Sequence, residues 1–246
     1  VNPVDDALMK ITHVLRGEDL LPSTPRQIAL YGALIRIGVA EGVPQFAHLP
    51  SVLGDGNKKL SKRDPQSNLF LHRDRGFIPE GLLNYLGRLG WSHGDQEIFS
   101  IEEMTRLFDI HDVNKSASAL NLDKMLWTNQ QHLLRSTPEH LATYLKPQLE
   151  ALGLVADDMA KVAAVAKAQQ ERAKTLKEMA ANSQFFFRDV TAYDEKAAAK
   201  NINAETAPIL RAVRERLSGL PDWRAPAVHV AIMAVAEKIG SAGTSA

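Results

Sequence analysis

The chain has 246 residues, 45% of them apolar and 24% charged, with 29 basic side chains balancing 29 acidic ones and no cysteine. This balance suits one large or two smaller globular domains, and it argues against disorder and against a uniformly positive surface, so any nucleic-acid contact must come from local patches. Without cysteine there can be no disulfide, thiolate zinc site or cysteine nucleophile, and the eight scattered histidines lack the paired helical spacing of a zinc protease, so no metal site is expected.

Taken in order, the first third alternates strand and helix. Ile11 to Arg16 is β-branched and apolar enough for a buried strand ended by Gly17. Thr24-Pro25-Arg26-Gln27 reads as a capping box with a proline at the first helical position. Ile28, Tyr31, Leu34 and Ile35 then recur at helical spacing, and Gly38 stands as the stop. A second strand, Gln45 to Leu49, precedes Pro50, and Gly54-Asp55-Gly56-Asn57 forms a turn cluster. Strand, helix, strand in this order predicts a parallel α/β unit.

Beyond that turn the pattern becomes helical. Pro79 to Leu89 places Leu82, Leu83, Leu86 and Leu89 on one side, with Gly90 as the stop. Ser100 to Glu103 is a further capping box, opening a helix with Met104, Leu107 and Phe108 inward. Later helices are expected at about 123–134, 138–152, 158–181, 204–218 and 225–239, separated by Ser136-Thr137-Pro138, Gly153 and Gly219-Leu220-Pro221. Trp127 and the run Phe185-Phe186-Phe187 are read as core aromatics closing helix ends. No run reaches the roughly 20 apolar residues a membrane span needs, and the first residues show no basic-then-apolar leader, so a cytoplasmic protein with no membrane partner is expected.

Lys58, Lys59, Ser61, Lys62 and Arg63 follow the glycine-rich turn. Several ammonium groups and a hydroxyl can there converge on one phosphate chain, although a solvated basic turn has the same composition. His13 and His48 lie on the two strands and are assigned packing or hydrogen bonding, not catalysis.

Four segments together resemble a known family: His13-Val14-Leu15-Arg16-Gly17-Glu18-Asp19, Thr24-Pro25-Arg26-Gln27, His48-Leu49-Pro50 and Lys59-Leu60-Ser61-Lys62-Arg63. Their order is similar to the second half of the catalytic domain of bacterial-type glutamyl-tRNA synthetases, class I enzymes built on a Rossmann-like sheet. Tyr85-Leu86, Leu89-Gly90-Trp91-Ser92 and the Asp123 to Asn129 segment also fit. The resemblance implies an α/β Rossmann-like remnant at the amino terminus followed by an all-α anticodon-binding region, mostly α overall. It divides the chain into 1–73, the later half of the catalytic domain with the ATP loop; 74–128, a helical stem-contact region; and 129–246, a helical anticodon-binding domain that stops short of the family's last helix.

The implied activity is ATP-dependent activation of L-glutamate to the adenylate and its transfer to the 3′ end of tRNA(Glu), with tRNA(Gln) left open as a second acceptor. ATP comes with Mg2+ as substrate, and the family is mostly monomeric. Carried over by position, Lys62 is the catalytic contact to the ATP phosphates, joined in ATP binding by Lys59, Ser61, Arg63, Asp19 and Val52. Arg16 takes glutamate, a role that its guanidinium fork and its place at a strand end favour over a surface pair with Glu18 or Asp19. Arg73 and Arg75 fall near the segment crossing the tRNA's inner corner, while Arg172 and Lys174 lie with Gln169, Gln170 and Lys177 on an expected polar helix of the anticodon region.

Leu60 and Arg63 depart from the usual Lys-Met-Ser-Lys-Ser loop in a way normal for glutamate enzymes, and Leu20 replaces a bulkier residue. The family's His-x-Gly-His motif does not occur in these residues, so this fragment alone is expected to be inactive. The alternative is a tRNA-binding module or paralogue with no chemistry. A glutaminyl enzyme would carry a β-barrel anticodon module, and the paralogue that glutamylates a tRNA base lacks an anticodon domain, so the helical second half disfavours both.

Overall fold

Val14 and Arg16 alternate in burial with the more exposed His13, Leu15 and Gly17, the period of a strand covered on one face. In the computed structural model, which describes residues 2–54, 56, 58–61 and 63–243 (239–243 as backbone alone), these residues form β1 (His13–Gly17). It runs parallel to β2 (Gln45–Leu49), with His13 opposite Gln45 and Gly17 opposite Leu49. The crossover is α2 (Thr24–Arg36), which buries Tyr31 and Leu34 with Ala40, against Val4 and Ala7 of a short preceding helix, α1 (Asn2–Leu8). The sequence does not announce α1, because Asp5 and Asp6 interrupt its apolar spacing.

The expected capping box at Thr24 does not form. Glu18–Ser23 is a 3-10 turn that runs straight into α2, and Thr24 N donates to Leu21 O, so Thr24 lies inside the helix. Ser100, by contrast, is extended and reciprocally capped with Glu103, opening α5 (Ile101–Leu107). Gly38, with φ +76, ends the first crossover helix where a left-handed residue is needed.

Two further short strands appear that no sequence pattern marked. Val52–Leu53 (β3) runs parallel to Ser118–Ala119 (β4), and Leu120 N donates to Leu53 O at 2.8 Å. Between them lie α3 (Leu69–Asp74) and α4 (Pro79–Gly90) as well as the capped helix. The face of α4 carrying Leu82 and Tyr85 packs on Met125 of α6 (Leu122–Arg135), and Tyr85 Oη accepts Asn121 N at 2.6 Å.

The largest core joins Leu141, Leu145 and Leu149 of α7 (Pro138–Glu150) to α8 (Met159–Gln169) and α9 (Leu176–Asn182). The single helix expected over 158–181 is two. Thr175 caps a fresh start at Glu178 N, and Leu176 N donates to Gly76 O at 2.8 Å, so the break satisfies amide groups that a new helix end leaves free.

Two compact units divide between Arg188 and Asp189. The second contains α10 (Glu195–Asn201), α11 (Ala207–Ser218) and α12 (Ala225–Gly243), with Ala231 and Val235 buried. α10 went unmarked in the sequence, and Asn203 holds the turn that delays α11 to residue 207 by accepting from Glu205 N and Thr206 N. Among the described residues no helix is long and apolar enough to cross a membrane.

Candidate functional site

Ligands of parallel sheets sit beyond the carboxyl ends of the strands; Arg16 stands near that end of β1, and Asp19, just past it, meets Lys59. A cavity of about 350 Å3 opens at those ends of β1 and β2, lined in part by Leu15, Glu18, His48, Pro50, His111 and Lys115. Arg16, half-buried, is held from several sides. Its Nη1 donates to Gln27 Oε1 at 2.7 Å and its Nη2 to Thr24 Oγ1 at 2.7 Å, with longer contacts of 3.4 Å to Leu20 O and Ser23 Oγ. Its Nε points to His48 Nε2 at 3.5 Å, and the guanidinium lies 5.4 Å from the Phe46 ring centre.

Neither nearby carboxylate pairs with it. Glu18 Oε1 accepts Ser51 N at 3.0 Å, and Asp19 Oδ2 lies 3.4 Å from Lys59 Nζ. Among the described residues Arg16 thus keeps only neutral partners, and its positive charge stays uncompensated. Much of its donor fork is already engaged, so a carboxylate would meet one free Nη1–H and the charge, not a wholly free fork.

Residues 52–54 pair antiparallel with residues 58–60 as the two arms of a hairpin. Gly54 N donates to Lys58 O at 2.8 Å and Leu60 N to Val52 O at 2.9 Å, with Leu53 bridged to Lys59. Gly54 is buried beneath Leu60, whose Cδ1 would stand 3.1 Å from an added Cβ. Past the hairpin, Ser61 turns the chain by accepting Arg63 N on its hydroxyl and Asp64 N on its carbonyl. Lys58, Lys59 and Arg63 are exposed. Lys62 lies outside the described residues. Val52 is partly exposed, with its carbonyl committed to Leu60.

The Asp19–Lys59 contact ties the hairpin to the 3-10 turn that also caps Arg16. Both side chains are more than half exposed, so it guides the hairpin more than it fastens it. Among the described residues no group of three or more His, Asp or Glu could hold a metal ion.

Among the described residues, neither Arg16 and Lys59 nor the other basic residues selected from the sequence line this cavity. The Gly76–Leu176 bond sets segment 73–76 beside segment 172–177. Arg73 is paired with Asp74 and lies over Phe70, Arg75 is half-buried, and Arg172 and Lys174 are exposed. The expected exposed polar helix around them is corrected by the structure. Gln169 is buried, and Gln170 Nε2 donates to Leu133 O and Ser136 O. Phe185 and Phe186 are not core either, being 57% and 37% exposed and packed on each other, whereas Phe187 joins the core. Trp127 is half-buried beneath Lys124. Sequence reasoning missed Thr24, Gln27 and His48 as partners of Arg16, because the first two spell a helix start and the third reads as a packed strand residue.

Residues 1–127 match the model of the class I tRNA synthetases (E and Q), catalytic domain, and residues 139–243 match an anticodon binding domain. The chain belongs to the class I E and Q synthetase family. It is 52% identical over 234 residues to "Glutamate--tRNA ligase 1" of Alkalilimnicola ehrlichii, covering 95% of this chain and 49% of that protein. With "Glutamate--tRNA ligase" of Mycolicibacterium smegmatis it shares 54% over 235 residues, 94% of this chain and 48% of the relative. A solved glutamate tRNA ligase from Elizabethkingia meningosepticum, in complex with its amino acid, superimposes with TM-score 0.80 at 33% identity, over 97% of this chain and 50% of that one. The chain spans about half the length of the curated relatives it matches. Its fold is that of a class I catalytic region followed by a helical anticodon-binding region.

Proposed function

We propose that this chain forms part of a glutamate–tRNA ligase, supplying the nucleotide loop, one anchor for the amino acid and much of the tRNA grip. The observation carrying this reading is Arg16: a guanidinium caged by neutral groups, its charge uncompensated, at the carboxyl end of a parallel strand and linked through its 3-10 turn to a lysine-rich hairpin. In the reaction, a carboxylate oxygen of glutamate attacks the α-phosphorus of ATP and the bond to pyrophosphate breaks. The terminal adenosine hydroxyl of tRNA then attacks the adenylate carbonyl and releases AMP.

Negative charge grows on the departing pyrophosphate, and a cation already in place is worth most as that charge appears. Lys62 holds that role in this reading. Lys59, Ser61, Arg63 and Asp19 shape the ATP site, and Val52 borders the adenine through its partly exposed side. Mg2+ arrives with the nucleotide phosphates. Arg73, Arg75, Arg172 and Lys174 contribute tRNA phosphate contacts on adjoining segments, within regions 1–73, 74–128 and 129–246, and tRNA(Glu) is the acceptor.

The test is glutamate-dependent exchange of pyrophosphate into ATP by a full-length protein carrying this segment. Lys62→Ala should slow the exchange at least about tenfold, the effect of one charge-assisted contact in the transition state. Unchanged rates would remove Lys62 from the mechanism. A full-length protein that binds tRNA with steep salt dependence yet exchanges no pyrophosphate would establish the binding-module reading instead.

A further inference from the structure

We propose that Thr24 and His48 are positioning residues for amino-acid recognition, orienting the Arg16 guanidinium through a closed ring of hydrogen bonds. The proposal rests on the reading that Arg16 receives a carboxylate of the amino acid. The ring has three members: Arg16 Nη2 donates to Thr24 Oγ1 at 2.7 Å, Thr24 Oγ1 lies 3.0 Å from His48 Nε2, and His48 Nε2 lies 3.5 Å from Arg16 Nε.

Only one proton arrangement satisfies all three contacts. Arginine donates and never accepts, so His48 Nε2 presents its lone pair to Arg16 Nε–H. With no proton on that nitrogen, the Thr24 hydroxyl, which accepts Nη2–H on one of its two lone pairs, can contact it only by donating its own proton. The imidazole proton is then on Nδ1, and the one lone pair of Nε2 is shared between the nearer Thr24 hydroxyl at 3.0 Å and the more distant Arg16 Nε–H at 3.5 Å. Thr24 is 7% exposed, so its hydroxyl is shielded from competing water.

The choice of partners distinguishes this cage from an ordinary structural ion pair. Two carboxylates lie within three residues of Arg16, yet both are turned elsewhere, Glu18 to the Ser51 amide and Asp19 to Lys59. A pairing carboxylate would fix the guanidinium but cancel its charge. Threonine, histidine and glutamine fix it while leaving the charge whole for a ligand, so orientation is settled before the ligand arrives. Thr24 and His48 act through Arg16 and touch no reacting atom.

The experiment measures glutamate and ATP dependence of pyrophosphate exchange in a full-length protein carrying this segment, with a thermal melt for each variant. Thr24→Val, nearly isosteric, removes both hydroxyl contacts. It should raise the KM for glutamate roughly tenfold while the KM for ATP, kcat and the melting temperature change little, and Thr24→Ser should restore the parent value. His48→Gln, which offers an acceptor oxygen, should bind glutamate far better than His48→Lys, which can only donate. This second pair carries the same test should Thr24→Val fail to fold. Glutamate KM values unmoved by Thr24→Val, or equal in the two His48 variants, while Arg16→Ala raises that constant, would overturn the positioning role alone. An Arg16→Ala protein with normal glutamate KM would overturn the parent reading of Arg16 with it.

Discussion

Asn129 sits fully buried where three segments meet, and replacing it by alanine should loosen all of them at once. Its Oδ1 accepts Ile78 N at 2.9 Å, at the start of α4, and its Nδ2 donates to Lys174 O at 2.7 Å, just before α9. Gly81 packs so closely that an added Cβ would lie 2.9 Å from Asn129 Cα, so the surrounding backbone leaves little room for water to replace the lost amide. Each backbone group left without a partner costs about 1–3 kcal/mol, and the pair therefore about 2–6 kcal/mol. With a urea slope of about 2 kcal/mol/M, the midpoint should fall by roughly 1–3 M.

Tryptophan fluorescence reads this out cleanly in a Trp223→Phe background, because the remaining Trp91 and Trp127 both belong to the first compact unit. Asn129→Asp should be at least as damaging, since it points a carboxylate at the Lys174 carbonyl in a buried setting. A midpoint change worth less than about 0.5 kcal/mol in Asn129→Ala would refute the claim that this side chain fastens segment 172–176 to the helices before it.

Gly76→Ala should be severe, because Gly76 has φ +84 and a Cβ there would lie 2.3 Å from Lys177 N; we expect a loss of at least about 2 kcal/mol, read by thermal melting. Stability should also fall on acidification because of His132. Its burial, aided by the charge of Arg135 and opposed by Glu80, holds the imidazole below its ordinary value of 6.5. The unfolded chain then binds the proton more readily, so stability present above about pH 6.5 is lost as pH drops towards the folded value. His132→Gln, which can still donate to Asn84 Oδ1 as Nε2 does at 2.8 Å, should flatten urea midpoints across that range. Lys59→Met should leave the unfolding midpoint nearly unchanged, as its partner Asp19 is exposed, while raising the KM for ATP at least roughly threefold in pyrophosphate exchange.

The two capping signatures show what local sequence can and cannot convey. Ser100-x-x-Glu103 and Thr24-x-x-Gln27 look alike, yet only the first becomes a box. The difference lies upstream: Ser100 enters its helix from extended chain with ψ 166, whereas the 3-10 turn of Glu18–Ser23 occupies the space in which Thr24 would cap. Freed from capping, the same two side chains turn to Arg16, a contact made across the crossover and invisible to any window of sequence. The parallel unit and the amphipathic helices were legible because their periods are local. Neither the break between α8 and α9 nor the exposure of Phe185 was legible, since both depend on distant chain, the first on the Gly76 carbonyl. Arg16 was picked out by its match to the family's motif, with its place at a strand end in support, but the absence of a carboxylate partner emerged only from the folded geometry.

The pairing of β3 with β4 bears on how this family could exchange parts. The lysine hairpin hangs from Val52–Leu53, and the second rail of that small sheet, Ser118–Ala119, arrives only after α4 and α5 have been laid down. A chimera that borrowed residues 50–64 from a relative would inherit the loop but keep the host's rail, so a mismatch at 118–120 would tilt the hairpin with every loop residue still correct. Recombination breakpoints that preserve activity should therefore carry both rails together and avoid falling between them.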